Sequence, residues 1–186
     1  FLECVADKPI SYYAFEMLYW TGIREGELLA LTPADFNFEK KTLRINKSYQ
    51  RLEGEDVITD PKTPKSNRTI VMPDFLAIEM EDFIKSIYGI KMNDRIFTIS
   101  KSYLHHEMDR GAKLARVKRI RIHGLRHSHI SLLINLGFSA LAIGERVGHE
   151  AVDITYHYAH LFPTVQTDMV AQLETEREAL VNVRKE

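Results

Sequence analysis

A basic, histidine-rich segment that leads directly into an apolar helical pattern constrains this chain more than any other stretch. Residues 110–126 contain seven lysines and arginines, and no aspartate or glutamate occurs between Asp109 and Glu145. The segment 123–129 reads His-Gly-Leu-Arg-His-Ser-His, and leucines at helical spacing follow it. The sequence therefore predicts a helix that starts at residue 123, ends at Gly137 and docks in a core. The leucines expected in that core are Leu132, Leu133 and Leu136.

A histidine and an arginine at the start of this helix indicate an anion site. Residues three positions apart are neighbours on a helix, so His123 and Arg126 share a face. The amide groups of the helix N-terminus add further donors for a phosphate. Three cations just upstream, at Lys118, Arg119 and Arg121, are expected to contact the backbone of a nucleic acid.

The composition is that of an ordinary globular protein, with 45% hydrophobic and 27% charged residues in 186. The formal net charge is −1, so any nucleic-acid binding must come from local charge. A single cysteine, Cys4, excludes an internal disulfide framework and is consistent with a reducing, cytoplasmic location. No apolar run reaches the roughly 18 residues of a membrane helix. Because the chain opens with Phe1, we expect a fragment of a longer protein.

Helical patterns dominate, and strand-like patterns are confined to residues 36–72. The sequence therefore predicts a mostly helical α+β fold with a small three-stranded antiparallel sheet, in which Val57-Ile58 forms one strand of a meander. Ser11 is the expected cap of the first helix. The helices are expected at 9–21, 73–88, 102–117, 123–137, 139–147 and 164–181. The apolar face of the second is expected to hold Phe75, Ile78, Phe83 and Ile87.

Two turns carry further basic residues. Arg24 lies between Gly22 and Gly26 in a tight turn between helices, with Glu27 one helical turn on to orient it. The alternative is a solvated surface arginine. The turn at 61–67 contains two prolines and is basic, so that it presents cations or is merely a solvated hairpin tip. The basic residues of this hairpin are Lys62, Lys65 and Arg68.

Other chemistries compete for these residues. His123 and His127 have the spacing of two zinc ligands on a helix, but a strongly cationic neighbourhood repels a metal and attracts a phosphate. No Walker loop or glycine-rich dinucleotide motif occurs, so no nucleotide cofactor is expected. A metal-dependent nuclease would need carboxylates near the basic segment, and there are none. A plain DNA-binding module remains an alternative, since phosphate contacts need only local charge.

Five segments, taken together, resemble the tyrosine recombinases, also called phage integrases. They are Thr-Gly-Ile-Arg-Glu-Gly-Glu-Leu-Leu-Ala-Leu (21–31), Lys-Thr-Pro-Lys-Ser-Asn-Arg-Thr-Ile (62–70), His-Gly-Leu-Arg-His-Ser-His (123–129), Gly-His-Glu (148–150) and Tyr-Ala-His-Leu (158–161). The resemblance extends over almost the whole chain. Within the family, the sequence is similar to integrases of phages and conjugative transposons of Gram-positive bacteria. It implies the fold of that family's catalytic domain.

The resemblance implies site-specific DNA strand exchange through a 3′-phosphotyrosyl intermediate, without metal or ATP. The catalytic residues that it implies are Arg24, Lys62, His123, Arg126, His149 and Tyr158, with Glu27 orienting Arg24. Lys65 is the alternative to Lys62 as the hairpin lysine. Resemblance does not separate an integrase from a chromosome-dimer resolvase or an invertase, and a non-catalytic DNA-binding protein of this fold remains a further alternative.

The nucleophile is expected to be Tyr158 and not Tyr156. Tyr158 follows His149 by nine residues and precedes Ala-His-Leu, as the family pattern requires. Two residues apart on a helix point about 200° apart, so only one of the two faces a given phosphate, and Tyr156 is expected to pack. His127 and His129 are expected to be structural or to contact DNA.

The resemblance also implies partners and further domains. The chain is expected to be the catalytic domain of a protein whose core-binding domain, and in some members an arm-binding domain, precede it. The expected partner is double-stranded DNA at attachment sites, on which the protein forms a tetramer from a monomer or weak oligomer in solution. The helix in 164–186 is expected to dock either on its own domain or on a neighbouring protomer.

Overall fold

A computed structural model describes residues 1–61, 66–149 and 151–158, together with positions 170, 173 and 175. The helices are α1 Pro9–Thr21, α2 Glu25–Ala30, α3 Asp74–Ser86, α4 Lys101–Ala115, α5 Ile122–Asn135, α6 Ala140–Val147 and α7 Ala151–Tyr158. The strands are β1 Phe36–Asn37, β2 Thr42–Ile45, β3 Ser48–Leu52, β4 Glu55–Thr59 and β5 Arg68–Val71. Short 3₁₀ turns cover Leu2–Val5 and Pro33–Asp35. Of the predicted helix at 164–181, only positions 170, 173 and 175 are described, and these are helical; the rest of it lies outside the described residues.

The strands form two separate antiparallel sheets, and the predicted meander is wrong in its membership. The three-stranded sheet has the order β1-β2-β5, and β3 and β4 pair only with each other. Val57-Ile58 therefore belongs to the β3–β4 hairpin and not to the three-stranded sheet. The hairpin is closed at Glu53 and Gly54, both with positive φ, while β2 pairs directly with β5. The hairpin is thus an insertion between two neighbouring strands.

Most helices and the three-stranded sheet share one hydrophobic core, and the C-terminal helices form a second, smaller one. Buried residues of α1, α2, α3 and α4 pack with β2 and β5 in the first core. The second core joins α5, α6 and α7 and contains Ile130, Ile134, Ile143, Val147 and Tyr158. Packing in the second core therefore brings the C-terminal end of α6 close to Tyr158 of α7. No helix of the described residues has the length and apolarity needed to cross a membrane.

The five helices predicted before residue 150 are present, but some of their predicted faces and caps are wrong. Leu136 is exposed, Leu132 and Leu133 are half-buried, and the buried residues of α5 are Ile122, Arg126, His129, Ile130 and Ile134. In α3 the exposed residues include Phe75 and Ile78, whereas Leu76, Ala77, Met80, Phe83 and Ile84 are buried. The residue that precedes α1 is Lys8, and Pro9 occupies the first helical position. Ser11, the expected cap, lies inside the helix.

Gly22 ends α1 in the left-handed conformation, with a φ of 66°, and lies against the His129 ring. A Cβ at this position would lie 2.5 Å from His129 Cδ2. We expect Gly22→Ala to lower the free energy of unfolding by roughly 2–4 kcal/mol, because about 1–2 kcal/mol of left-handed strain adds to an overpacking cost of similar size. Urea unfolding measures this loss.

Gly89 provides a matched control for the Gly22 substitution. Its φ is 70°, close to that of Gly22, but nothing lies within 4 Å of an added Cβ. Gly89→Ala should therefore cost only the backbone strain of about 1–2 kcal/mol. Equal losses in the two variants would show that the approach of His129 to Gly22 adds nothing.

Candidate active site

Three arginines converge on the C-terminal end of α6. Helix ends leave their last carbonyl groups without partners inside the helix, and these groups carry partial negative charge. Here the carbonyls of Arg146, Val147 and Gly148 accept hydrogen bonds from the side chains of Arg68, Arg126 and Arg24, in that order. His149 follows immediately and donates its backbone amide to the Gly144 carbonyl at 2.9 Å. The arginines thereby fix the position of His149.

The Glu27 carboxylate lies between two of these arginines. Arg68 donates from both terminal nitrogens to the two carboxylate oxygens, at 3.1 and 2.9 Å. Arg24 donates to the same carboxylate from its side chain and from its backbone amide, both at 2.8 Å. Burial alone would raise the pKa of Glu27, but its hydrogen bonds and ion pairs with Arg68 and Arg24 hold that pKa below its ordinary value. Glu27 is therefore ionised at neutral pH.

Arg126 is 1% exposed, and no carboxylate of the described residues pairs with its guanidinium. Its terminal nitrogens donate to the Gly22 and Val147 carbonyls, and its Nε has no partner among the described residues. Burial and then the charge of Arg24 lower the pKa of Arg126 to about 9, so it is still charged at neutral pH. Among the described residues, Arg24 and Arg68 thus share the carboxylate of Glu27, and Arg126 adds a third positive charge that is bonded only to backbone carbonyls. This local excess of positive charge favours an anion.

A cleft of about 600 Å³ opens in front of these arginines. Arg24, Glu27, His123 and His149 line it, beside residues of β3 and β4. Burial and then the charges of Arg126 and Arg24 lower the pKa of His149 to about 4. Partial burial and then the charge of His127 lower the pKa of His123 below its ordinary value. Both histidines are therefore neutral at pH 7, and an anion in the cleft would favour their protonated forms.

Tyr158 is 8% exposed and is not among the residues that line the cleft, but it contacts His127, which stands next to the lining residue His123, a position that we call the cleft edge. Its ring packs in the second core, and its hydroxyl forms a hydrogen bond with Nδ1 of His127. The His127 ring stands edge-on to that of His123, with 4.7 Å between centroids. Burial raises the pKa of the Tyr158 hydroxyl, and Arg126 opposes this rise. The hydroxyl is thus close to both the histidine pair and the buried arginine.

Tyr156 points elsewhere. It is 83% exposed, so the prediction that it packs is wrong. The predicted difference in direction between the two tyrosines is confirmed, since they are two residues apart on α7 and only Tyr158 is buried.

Comparison with known proteins identifies the family. The profile of the phage integrase family matches residues 3–164. The chain belongs to this family. It is 29% identical over 94% of its length to the ICEBs1 integrase of Bacillus subtilis strain 168, and covers 51% of that protein. It is 31% identical over 87% of its length to the integrase of Staphylococcus phage L54a, again covering 51%.

Solved structures show the same fold. The integrase of transposon Tn1549 in complex with transposon right end DNA superposes with a TM-score of 0.76, at 22% identity over 96% of this chain and 62% of that one. The XerA recombinase superposes with a TM-score of 0.67, at 21% identity over 92% of this chain and 58% of that one. The predicted fold class is therefore confirmed. The chain spans about half the length of the curated integrases and recombinases that it matches.

Not every residue expected from the integrase resemblance reaches the cleft. Lys62 and Lys65 lie outside the described residues. Lys118, Arg119 and Arg121 are exposed before α5 but do not line the cleft, and Arg119 pairs with Asp109 at 2.6 Å. Their expected contact with DNA stays a prediction.

Two predicted DNA contacts are instead directed into the protein. Arg68 is buried and its guanidinium is engaged by Glu27 and by backbone carbonyls, because it lies on β5 and not in the turn. His129 is 2% exposed and accepts a hydrogen bond from Arg146 Nε at 3.1 Å, so the structural alternative describes it. Neither side chain is presented to solvent as a DNA contact would require.

Sequence reasoning missed Arg146, Lys47 and Lys101. Arg146 joins α6 to α1 and β5 through the Trp20 and Val71 carbonyls, at 3.1 and 3.0 Å. Lys47 and Lys101 line the cleft. The position of Arg146, two residues before Gly148, was the available signal, but a single arginine in a helix gives no hint of its partners.

His129 should make stability depend on pH. Burial, and then Arg146, lower the pKa of His129 to about 4, against an ordinary value of 6.5. The unfolded chain therefore binds this proton more tightly, and stability present above pH 6.5 is lost as the pH falls towards 4. At about 1.4 kcal/mol per pKa unit, the loss from this group approaches roughly 3 kcal/mol.

Urea unfolding of the wild type and of His129→Gln between pH 4 and pH 7.5 tests this dependence. Glutamine retains a group that can accept the hydrogen bond from Arg146 but does not titrate. The stability of the variant relative to the wild type should improve as the pH falls. Parallel curves would contradict the assignment of the acid sensitivity to His129.

Proposed function

We propose that this chain is the catalytic domain of a site-specific DNA recombinase that cleaves and rejoins DNA through a 3′-phosphotyrosyl intermediate. The observation that carries the proposal is a cleft lined by Arg24, His123 and His149, with Arg68 and Arg126 bonded to the same helix end as Arg24 and the Tyr158 hydroxyl bonded to His127 beside it. A phosphodiester fits this charge. Membership of the integrase family supports the same conclusion.

The arginines suit the charge that develops during the reaction. A tyrosine hydroxyl that attacks a phosphodiester increases the negative charge on the non-bridging oxygens, and fixed cations aimed at those oxygens lower the barrier. Arg24 lines the cleft, and the buried Arg126 has one nitrogen, Nε, without a partner among the described residues. Guanidinium groups match phosphate geometry in two-point contacts. His149 and His123 add donors on the cleft wall once protonated or through their neutral N–H groups.

The reaction conserves the energy of the broken bond. Tyr158 attacks phosphorus, a phosphotyrosine forms, and the 5′-hydroxyl of the cleaved strand leaves. A 5′-hydroxyl from another strand then reverses the step, so the proposed chemistry consumes no ATP and uses no metal. The leaving oxygen needs a proton, for which Lys62, or alternatively Lys65, is the proposed donor.

The whole protein would work as an assembly on DNA. By analogy with the matched family, we propose that core-binding and, in some forms, arm-binding regions accompany this domain and that four copies assemble on paired attachment sites in the bacterial cytoplasm. The segment 164–186 is proposed to contact either its own domain or a neighbouring copy. The Tn1549 integrase, which shares this fold, was solved in complex with transposon end DNA.

Covalent trapping tests the proposal. The full-length protein would be incubated with a nicked duplex from the end of the element that carries its gene, in the presence of a chelator, and run on a denaturing gel. We expect a covalent protein–DNA adduct, and peptide mapping should place the DNA on Tyr158. An adduct that forms without the chelator but not with it would contradict the metal-free mechanism. DNA binding without any adduct would favour a non-catalytic DNA-binding protein.

A further inference from the structure

The hydrogen bond between His127 and Tyr158 places a second histidine on the reacting atom. The family resemblance implies that His123 is catalytic, yet among the described contacts the hydroxyl of Tyr158 is bonded to His127. The two histidines lie one helical turn apart on α5. His127 is partly exposed at the edge of the cleft, while Tyr158 is held in the second core. The hydroxyl therefore reaches the cleft edge along His127.

The protonation states of this pair suit proton transfer. Burial, and then the charges of Arg126 on α5 and His157 on α7, lower the pKa of His127. His127 is thus neutral at pH 7, and burial keeps the Tyr158 hydroxyl protonated. With the His127 ring proton on Nε2, Nδ1 accepts the hydrogen bond that the hydroxyl donates. The described groups that act on His127 are Arg126, His157, His123 and Tyr158.

We infer that His127, and not His123, accepts the proton of the Tyr158 hydroxyl during strand cleavage. This inference rests on the proposed function, which makes Tyr158 the nucleophile. His123, which lines the cleft, is left to donate to a phosphate oxygen. The arrangement separates two tasks between histidines one turn apart on the same helix.

During strand cleavage, the O–H bond of Tyr158 breaks and its proton passes to Nδ1 of His127, while the phenolic oxygen forms a bond to phosphorus. The bond from phosphorus to the 5′-oxygen breaks, and that oxygen takes a proton from the hairpin lysine. In rejoining, the imidazolium of His127 returns its proton to the departing tyrosine. A base in this position typically contributes about 10²–10⁴ in rate.

Two substitutions separate proton transfer from positioning. His127→Asn places an amide oxygen near the position of Nδ1, so it can accept the hydrogen bond but cannot take up the proton at neutral pH. His127→Gly removes the ring and leaves space for added imidazole. His123→Asn is the matched variant one turn earlier. Each would be measured as the single-turnover rate of adduct formation on the nicked duplex between pH 5 and pH 10, after urea unfolding has shown that the variant folds.

The wild-type rate should rise with pH and reach a plateau once His127 is neutral. We expect His127→Asn to be slower by about 100-fold or more at pH 7 and to lose the plateau, its rate rising until the tyrosine itself ionises. Imidazole should accelerate His127→Gly but not the wild type. His123→Asn should be slower but keep the wild-type pH profile.

Other outcomes overturn the inference in distinguishable ways. A His127→Asn variant within about threefold of the wild type, with an unchanged pH profile, would reduce His127 to a positioning contact. Loss of the plateau in His123→Asn instead would make His123 the base. Absence of a wild-type adduct would overturn the proposed function, and this inference with it.

Discussion

Replacing Tyr158 with phenylalanine is expected to abolish the covalent adduct, because no other described group in the second core carries a hydroxyl to the cleft edge. The variant should fold. The Tyr158 ring is 8% exposed and packs among Ile130, Ile134, Ile143 and Val147, contacts that phenylalanine retains. Only the hydrogen bond to His127 is lost, at a cost of about 1 kcal/mol. DNA binding measured by gel shift should therefore be close to that of the wild type.

Tyr156→Phe is the control for this substitution, since it makes the same chemical change two residues earlier. Tyr156 is 83% exposed and makes an edge-on ring contact with its neighbour His157. The adduct should form at the wild-type rate. An adduct lost in Tyr156→Phe and retained in Tyr158→Phe would keep the enzyme class but reassign the nucleophile.

The sequence predicted the five helices α1, α3, α4, α5 and α6 and the opposite directions of Tyr158 and Tyr156, because both depend on local periodicity. The membership of the sheet could not be read in the same way. Strand β2 pairs with β5 across an inserted hairpin, and this choice depends on packing against the helices and not on the strand sequences. The pattern at Val57-Ile58 is a strand in either arrangement.

The buried face of α5 was missed for a different physical reason. Ile122, Arg126, Ile130 and Ile134 recur every four residues and form one buried stripe. Because Arg126 is part of it, this stripe is overlooked when charged residues are assumed to lie on the surface. The leucines at 132, 133 and 136 then give the more apolar pattern. Arg126 can be buried because the carbonyls of Gly22 and Val147 accept its hydrogen bonds. Those acceptors lie at the ends of α1 and α6, which are 104 and 21 residues away from Arg126 in the chain. The local sequence does not reveal them.

The same limitation applies to Arg68. Its place in a basic turn suggested a DNA contact, since nothing nearby in sequence neutralises it. Its partner, Glu27, is 41 residues away. Glu27 was expected to contact only Arg24, and that contact is present as well. The structure makes Glu27 the shared carboxylate of two arginines, and this arrangement predicts a large effect of its removal.

Glu27→Gln is expected to lower the free energy of unfolding at pH 7 by about 3–5 kcal/mol, because it removes the charge between Arg24 and Arg68 while keeping the size of the side chain. Arg68 is then left buried without its ion pair, and Arg24 loses the group that orients it. Adduct formation should fall by roughly 10²-fold or more, comparable to the loss of one fixed donor to the reacting phosphate. Urea unfolding and single-turnover trapping measure the two effects.

The pH dependence identifies the missing charge. The ion pairs hold the pKa of Glu27 below its ordinary value of 4.5, so the stability that they provide is present above pH 4.5 and is lost as the pH falls through the lower pKa of the folded state. The difference between wild type and Glu27→Gln should therefore be constant near neutrality and shrink in acid. A difference that persists unchanged at low pH would mean that the amide disturbs packing and that the charge is not the cause.

Glu107 separates the effect on the site from the effect on stability. It is buried like Glu27 and pairs with two cations, Lys8 at 2.6 Å and Arg110 at 2.8 Å, but it does not line the cleft. Glu107→Gln should also destabilise the protein, yet form the adduct at the wild-type rate under conditions where it is folded. Added sulfate should stabilise Glu27→Gln more than Glu107→Gln, because only the first leaves its unpaired guanidinium groups beside an anion-accepting cleft. Equal stabilisation of the two variants, or equal loss of cleavage, would remove Glu27 from any particular role in positioning the arginines.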